Sequence, residues 1–194
     1  MTTTAAAVAR SSYEYAIDTK ASQFTVQAFA DGLISVVAHS PKIAIRDWQA
    51  EIRAADSNLK GLSMKVRVRP TALDVLDDLR DADRRKLHKV LHDEVLEINR
   101  YPEILFESSD TQVETISERM FRLIVRGTLT FHGVCREHFF LAQASLWEDG
   151  ARAHGSFSVR QSDYNIAIAS IAGGTLKLQD ELKFSFYAIV RKKS

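Results

Sequence analysis

Two of the six histidines in this 194-residue chain have a spacing that suits metal binding. His88 and His92 are four residues apart in a segment with helical periodicity, so their imidazoles would share one helix face and could supply half of a zinc site. No cysteine or carboxylate stands at a spacing that completes such a site. We therefore interpret both side chains as solvated residues of a helix and expect no bound metal.

The other reactive side chains do not form an evident catalytic set. His132 and His138 flank a predicted β-hairpin and could approach each other across it, but two surface histidines are the simpler interpretation. Cys135 is followed by Arg136, and a neighbouring cation can lower a thiol pKa. A nucleophile also needs a base and a group that orients it, and the sequence identifies neither for Cys135. We expect no catalysis by this thiol and no cofactor.

Apolar side chains on strand faces are the more informative signal, and the chain has ten phenylalanines. Burial of apolar surface contributes about 25 cal/mol per Å², so a slot lined by such residues could hold a long alkyl chain. The same residues could instead fill a core, and alternation alone does not decide which face points inward. The candidate lining residues are Phe24, Val26, Met64, Val66, Phe106, Phe121, Leu123, Val125, Phe131, Phe157, Phe184 and Phe186.

Period-two alternation of apolar and polar residues predicts the strands that carry these side chains. Apolar residues alternate with polar ones at 24–28, 64–69, 121–131, 156–160 and 182–191, and a further strand is expected at 104–107. Pro70 ends the second of these runs. No internal repeat or Pro/Gly/Ser-rich linker indicates a second domain.

Many strands joined by short polar turns must protect their edges, and closure into a barrel does so completely. We predict a mainly β fold, an antiparallel β-barrel of about eight strands with one substantial α-helix. A β-sandwich is the competing solution, and the long continuous runs at 119–132 and 180–192 favour the barrel. Residues 1–12 are expected to form a flexible tail, with residues 13–194 as one barrel domain.

Residues 79–99 break the alternating pattern and predict the helix. Asp81 and Asp83 lie near its start, and Pro102, just beyond its end, forces the chain back to an extended conformation. Its apolar residues have helical spacing. We expect four of them to face the barrel wall or to cap one end: Leu87, Leu91, Val95 and Ile98.

Composition limits the partners and the compartment. With 26 basic and 25 acidic residues the net charge is +1, which does not favour a nucleic-acid partner. One cysteine excludes an intramolecular disulfide and is consistent with a reducing compartment. The first residues lack the basic start and apolar stretch of a secretory signal, and no segment approaches the length of a transmembrane helix. We expect a cytoplasmic protein without membrane insertion.

Four segments in chain order carry a family resemblance. They are YAID at 15–18 with SQF at 22–24, YPEILF at 101–106, RGTLTFHGV at 126–134, and the stretch 155–186, which contains RQSDY and DEL. Together they resemble the YceI-like family, also called polyisoprenoid-binding. The resemblance implies a lipocalin-like barrel whose lumen takes an isoprenoid chain or another amphiphile.

Three functional hypotheses follow from the resemblance and the strand faces. The first is a binding or carrier protein that holds an amphiphilic lipid or an isoprenoid, quinone-like chain in the lumen, either as a monomer or as a homodimer. The second is a filled barrel with a structural or stress-related role and no ligand. The third, which the sequence supports least, is a small enzyme that uses a lumen histidine such as His39.

Overall fold

The computed structural model describes residues 13–31, 41–168, 170–171 and 176–193. The predicted tail at 1–12 and His39 lie outside the described residues. Twelve strands are described: β1 (Tyr13–Ile17), β2 (Gln23–Asp31), β3 (Lys42–Ile45), β4 (Trp48–Ala54), β5 (Ser63–Val68), β6 (Leu73–Val75), β7 (Ile104–Ser117), β8 (Met120–Phe131), β9 (Val134–Trp147), β10 (Gly150–Arg160), β11 (Ser170–Ile171) and β12 (Leu176–Lys192).

Eight of these strands close into an antiparallel barrel. Their order is β1-β4-β5-β7-β8-β9-β10-β12, and β1 closes the ring by pairing with β12 as well as with β4. The predicted mainly β barrel of about eight strands is therefore confirmed. A barrel of this size has an interior just wide enough for side chains or one small ligand.

Strand β12 is long enough to pair with two consecutive strands along one edge. Its C-terminal end pairs with β1 and an earlier part pairs with β2, so β1 and β2 act as one strand with a break at residues 18–22. The hydroxyl of Ser22 bridges this break. It donates to the Asp18 carbonyl at 2.6 Å and accepts from the Ile189 N–H at 2.9 Å.

The strands β2, β3 and β6 extend the sheet beyond the closed ring. β2 pairs with β3, and β3 pairs with β6. Strand β5 ends at Val68, and a 3₁₀ turn at Pro70–Ala72 leads into β6. The predicted end of this run at Pro70 agrees with the structure, because proline has no N–H to donate to a sheet.

Alternation along β8 separates an inner face from an outer face as the sequence predicted. Phe121, Leu123 and Val125 are buried, while Arg122 and Arg126 are exposed. The two arginines pair with carboxylates of β7 on the outer surface, with the shortest contacts to Glu114 at 2.8 Å and to Asp110 at 3.7 Å. The core of the protein therefore lies inside the ring of strands.

The predicted helix is shorter than expected and changes its winding. An α-helix, α1, spans Asp81–Val90 and is followed by a π-helical turn at Leu91–Val95. The expectation of one helix over 79–99 is thus correct in place but wrong in extent. Within the turn the Leu96 N–H bonds to the Leu91 carbonyl, and the helix ends before Glu97, which has a φ of 43°.

The wider turn also changes which apolar residues pack on the barrel. Val95 is buried in the core, and Val90 and Leu96 pack against the core beside it. An i→i+5 turn brings residues five apart to the same side, which explains why Val90 joins Val95 in place of the residues expected for an unbroken α-helix. The other three residues expected on this face are only half-buried: Leu87, Leu91 and Ile98.

Polar contacts hold α1 beside the barrel. The Arg84 guanidinium donates to the carbonyl oxygens of Val75 and Asp77, which fixes the helix start against the end of β6. Arg80, just before the first turn, pairs with Asp83 at 2.9 Å. Among the described residues no helix is long and apolar enough to span a membrane.

Candidate functional site

An apolar cavity of about 170 Å³ lies inside the barrel. We call this space the lumen. Its walls are inward-facing side chains from strands on every side of the ring, and the described lining residues that carry a side-chain nitrogen or oxygen are Tyr15, Trp48 and His138. An apolar cavity of about 150 Å³ stays dry and is large enough to hold benzene. The lumen therefore suits an apolar group rather than water.

Seven aromatic rings on the lumen wall form a continuous set of contacts, which we call the aromatic cluster. Centroid distances fall between 5.0 and 6.0 Å, and the rings of Phe157 and Phe184 are stacked with an interplanar angle of 6°. Because aromatic rings bury much apolar surface, they supply a large part of the apolar lumen wall. The cluster consists of Phe24, Trp48, Phe106, Phe140, Phe157, Phe184 and Phe186.

Small residues on three neighbouring strands leave the lumen unfilled. Ala153 of β10 pairs with Ala144 of β9 and with Ala188 of β12, so three inward methyl groups lie side by side. Gly155 lies two residues further along β10, and a Cβ there would be 2.8 Å from the Phe186 ring. We call Ala144, Ala153 and Ala188 the alanine row.

Nine of the twelve lining residues expected from the sequence border the lumen. These are Phe24, Met64, Val66, Phe106, Leu123, Phe131, Phe157, Phe184 and Phe186. The structure buries Phe121 and Val125 in the packed core, with 2% and 0% exposure, and places Val26 beside the core as a half-buried residue. For these three the expected lining position is corrected, because each packs within or against the hydrophobic core and does not border the cavity. Ligand binding by the nine stays a prediction.

The sequence pattern did not predict several of the lining residues. Trp48 and Phe140 contribute two rings of the aromatic cluster, and the alanine row forms the part of the wall where small side chains leave the lumen unfilled. The run Phe139-Phe140-Leu141 is apolar on both faces of β9, with Phe139 62% and Leu141 52% exposed, so it shows no alternation. Alanine is too weakly hydrophobic to identify an inward face by itself. The two-residue spacing of Ala142 and Ala144 is the sequence signal that could have indicated this face.

His138 is the polar residue of the lumen with the most distinctive environment. Its ring packs edge-on against Phe157 with centroids 5.2 Å apart. Burial lowers the pKa of the His138 imidazole, and its Nε2 atom is buried without a hydrogen-bond partner among the described residues. The register places His138 opposite Gly127 of β8 rather than near His132. The expectation of two surface histidines on this hairpin is therefore wrong.

His132 lies in the β8–β9 turn, with a φ of 49°, and its side chain is 9% exposed. Its Nδ1 atom is 3.2 Å from the carbonyl oxygen of Tyr164, and its ring packs on Tyr101 with centroids 4.2 Å apart. Its Nε2 atom lies 3.4 Å from a carboxylate oxygen of Glu97 at the helix end. These contacts give His132 a structural role that joins the helix end, the hairpin and residue 164.

The remaining candidates do not converge on a reactive site. His88 and His92 lie on one side of the helical segment with ring centroids 5.8 Å apart. No group of three or more potential metal ligands occurs in the ranges that the structure describes. Cys135 is exposed, and its sulfur accepts a hydrogen bond from the Thr130 hydroxyl at 3.5 Å.

Comparison with known proteins supports the same fold. A search of curated proteins found no match. BcnA from Burkholderia cenocepacia is similar in structure, with a TM-score of 0.67 at 14% identity over 89% of this chain and 98% of that chain. A polyisoprenoid-binding domain from Saccharophagus degradans, implicated in plant cell wall breakdown, gives 0.66 at 11% identity over 92% and 98%. A Campylobacter jejuni YceI protein gives 0.60 at 14% identity over 81% and 87%.

At these identities the solved structures establish a shared fold. The sequence itself provides the family, because residues 15–189 match the profile of the YceI-like domain. That range contains all eight strands of the closed barrel in whole or in large part. The chain therefore belongs to the YceI-like domain family.

Proposed function

We propose that this protein binds the apolar chain of an amphiphilic lipid or of an isoprenoid, quinone-like molecule in its lumen. The observation that carries the proposal is the apolar cavity between the aromatic cluster and the alanine row. The name of the Saccharophagus degradans neighbour, a polyisoprenoid-binding domain, supports the same class of ligand. The protein would act as a carrier or store of such a chain.

An unfilled cavity of this size is costly for a folded protein. At roughly 24 cal/mol per Å³, a void of about 170 Å³ corresponds to about 4 kcal/mol of stability. A ligand that fills the void recovers part of this free energy together with the burial of its own apolar surface. The void beside the alanine row thus makes the empty barrel less stable than the ligand-filled barrel, as expected for a binding site.

The present volume limits what binds without rearrangement. A segment of about benzene size fits directly, whereas a longer chain requires rings of the aromatic cluster to rotate. Most of these rings, including Phe24, Phe140, Phe157 and Phe186, are half-buried rather than fully packed. The same small volume favours the second candidate function, a structural barrel that holds no ligand.

Catalysis is the hypothesis that the described lumen supports least. Its described lining contains no carboxylate, lysine, serine or cysteine side chain, so His138 has no evident nucleophile to activate. We propose binding without catalysis. A cytoplasmic location and a homodimer stay predictions, and the net charge of +1 supports the expectation of no nucleic-acid partner.

Titration with the fluorescent apolar probe N-phenyl-1-naphthylamine, followed by displacement with farnesol, tests the proposal. Native mass spectrometry of the purified protein tests for bound lipid from the cell. The blocking variant is Ala153→Leu, which enlarges one side chain of the alanine row. The control is His154→Leu, because His154 is the next residue of β10 and is exposed on the outer face.

Saturable probe binding that farnesol displaces, and that falls at least about tenfold in Ala153→Leu but not in His154→Leu, would support the binding function. The ligand-free barrel predicts no bound lipid and no saturable probe binding. It also predicts that Ala153→Leu overpacks the interior and destabilises it by about 1–3 kcal/mol. That pair of results would replace the carrier by the structural barrel.

A further inference from the structure

A second cavity, of about 550 Å³, lies between strands β9 and β10 on the side of the barrel. We call it the side cleft. The pairing of β9 with β10 begins beside the turn that joins them, at Trp147 and Gly150, and ends at Leu141 and Ser156. The cleft lies past the end of this paired segment.

Beyond that point the two strands separate, although each keeps its other neighbour. β9 stays paired with β8 down to Val134, and β10 stays paired with β12 up to Arg160. Within 136–140 and 157–160, which the structure describes in full, backbone groups that face the cleft have no partner strand. Such groups need water or a ligand as a hydrogen-bond partner.

The side cleft and the lumen share a wall. His138 of β9 and Val159 of β10 line both spaces. Phe157, which contacts the His138 ring, lies on the lumen side of the same wall. A chain in the lumen could therefore pass between these residues and place its other end in the cleft.

The unpartnered Nε2 atom of His138 lies at this boundary. A buried nitrogen without a hydrogen bond is unfavourable, so it needs either water from the cleft or a polar group of a ligand as its partner. The imidazole ring can donate or accept there according to its tautomer. A hydroxyl, a carbonyl or an amide can therefore pair with it.

The charges around the cleft are nearly balanced. Two arginines, Arg136 and Arg160, line it together with three carboxylates, Glu137, Asp163 and Glu181. Protein groups already engage some of them. The Arg136 Nε atom donates to the Asp163 carbonyl at 2.6 Å, and a Glu181 carboxylate oxygen accepts from the Ser158 hydroxyl at 2.9 Å. This balance provides no excess of positive charge for an anionic headgroup.

We propose that the side cleft holds the uncharged polar end of an amphiphile whose apolar chain lies in the lumen, with His138 Nε2 as its hydrogen-bond partner. The ligand class is a chain with a hydroxyl, phenol, quinone carbonyl or amide at one end. This inference rests on the proposed function, because it requires a chain in the lumen. It adds the position and the chemistry of the ligand's polar end.

The test compares two ligands that share one chain, 1-decanol and decanoate at pH 8, by displacement of N-phenyl-1-naphthylamine. The variant His138→Phe keeps a ring against Phe157 but removes both nitrogens, and His138→Gln retains a donor and an acceptor. The control is His154→Phe on the outer face of β10. Thermal melts of all variants show whether each one folds.

We expect wild type to bind 1-decanol more tightly than decanoate. In His138→Phe the affinity for 1-decanol should fall about tenfold more than the affinity for the apolar probe, because the larger ring alters the lumen for both ligands but removes a hydrogen bond only from the alcohol. His138→Gln should recover part of the loss. Equal decanol binding in wild type and His138→Phe, or tighter binding of decanoate, would overturn the headgroup site while the lumen function stands. No binding of either probe or alcohol to wild type would remove the proposed function itself.

Discussion

Two phenylalanines that look equivalent in the sequence should respond differently to a lumen ligand. Phe121 is 2% exposed and packs in the core without lining the lumen, whereas Phe184 is 8% exposed, borders the lumen and stacks on Phe157 at 5.0 Å. Truncation of either ring to alanine leaves a void. Buried Phe→Ala substitutions cost about 3–5 kcal/mol, so both variants should be destabilised.

The two voids differ in their position relative to the lumen. Phe184 borders the lumen of about 170 Å³, so the space left by Phe184→Ala adds directly to it, whereas Phe121 does not line the lumen and we expect its truncation to leave the binding space unchanged. Farnesol should therefore bind the Phe184 variant more tightly than wild type, and it should bind the Phe121 variant as it binds wild type. A ligand at 100 times its Kd stabilises the folded state by about 2.7 kcal/mol. For a domain of this length that is a rise in Tm of about 5–11 °C.

Thermal melts of the three proteins with and without farnesol measure the effect. The Phe184→Ala Tm should rise more with farnesol than the wild-type Tm, and the Phe121→Ala shift should equal the wild-type shift at the same ligand concentration. Phe184→Leu serves as a milder substitution if the alanine variant does not fold. Equal shifts in both alanine variants would show that Phe184 does not border the binding space, and the reasoning from cavity position would be refuted.

Three further predictions concern the helix, one close backbone contact and pH. Val95→Ala should cost about 1–2 kcal/mol in urea denaturation, from two buried carbon atoms, and more than Leu91→Ala, because Leu91 is only half-buried; the reverse order would contradict the π-turn packing. Gly127→Ala should destabilise the barrel by at least about 1–3 kcal/mol, since its Cβ would clash with the Glu107 carbonyl oxygen, and an unchanged Tm would contradict that register. Because burial lowers the pKa of His138 below the free value of about 6.5, the unfolded chain binds more protons there. That contribution to stability is present above a pH of about 6.5 and is lost as the pH falls through the folded pKa. Urea denaturation at high and at low pH should therefore show a smaller loss of unfolding free energy on acidification in His138→Phe than in wild type. Identical losses in the two proteins would count against the burial of His138.

The sequence was sufficient for the class of fold. The alternation of faces in β8 and β12 is a local property, because the backbone of a single strand sets the direction of successive side chains. The end of β5 before Pro70 is local as well, because proline has no N–H to donate to a sheet. The helix was placed correctly, but its π turn was not predicted. The turn accompanies the burial of Val95 in the barrel core, and that contact involves residues distant in the sequence.

The lumen was decided only by the tertiary structure. Phe121 and Phe184 each lie on the inner face of a long strand, yet only Phe184 borders a void, because a void exists where the side chains of several strands together fail to fill the interior. The alanine row shows this directly: Ala144, Ala153 and Ala188 come from three different strands and lie side by side only through the strand register. The side cleft has the same origin, since the point where β9 leaves β10 is a property of the pair and not of either strand. Alternation thus determines the two faces of each strand, and only the closed barrel determines which residues of the inner faces border a cavity.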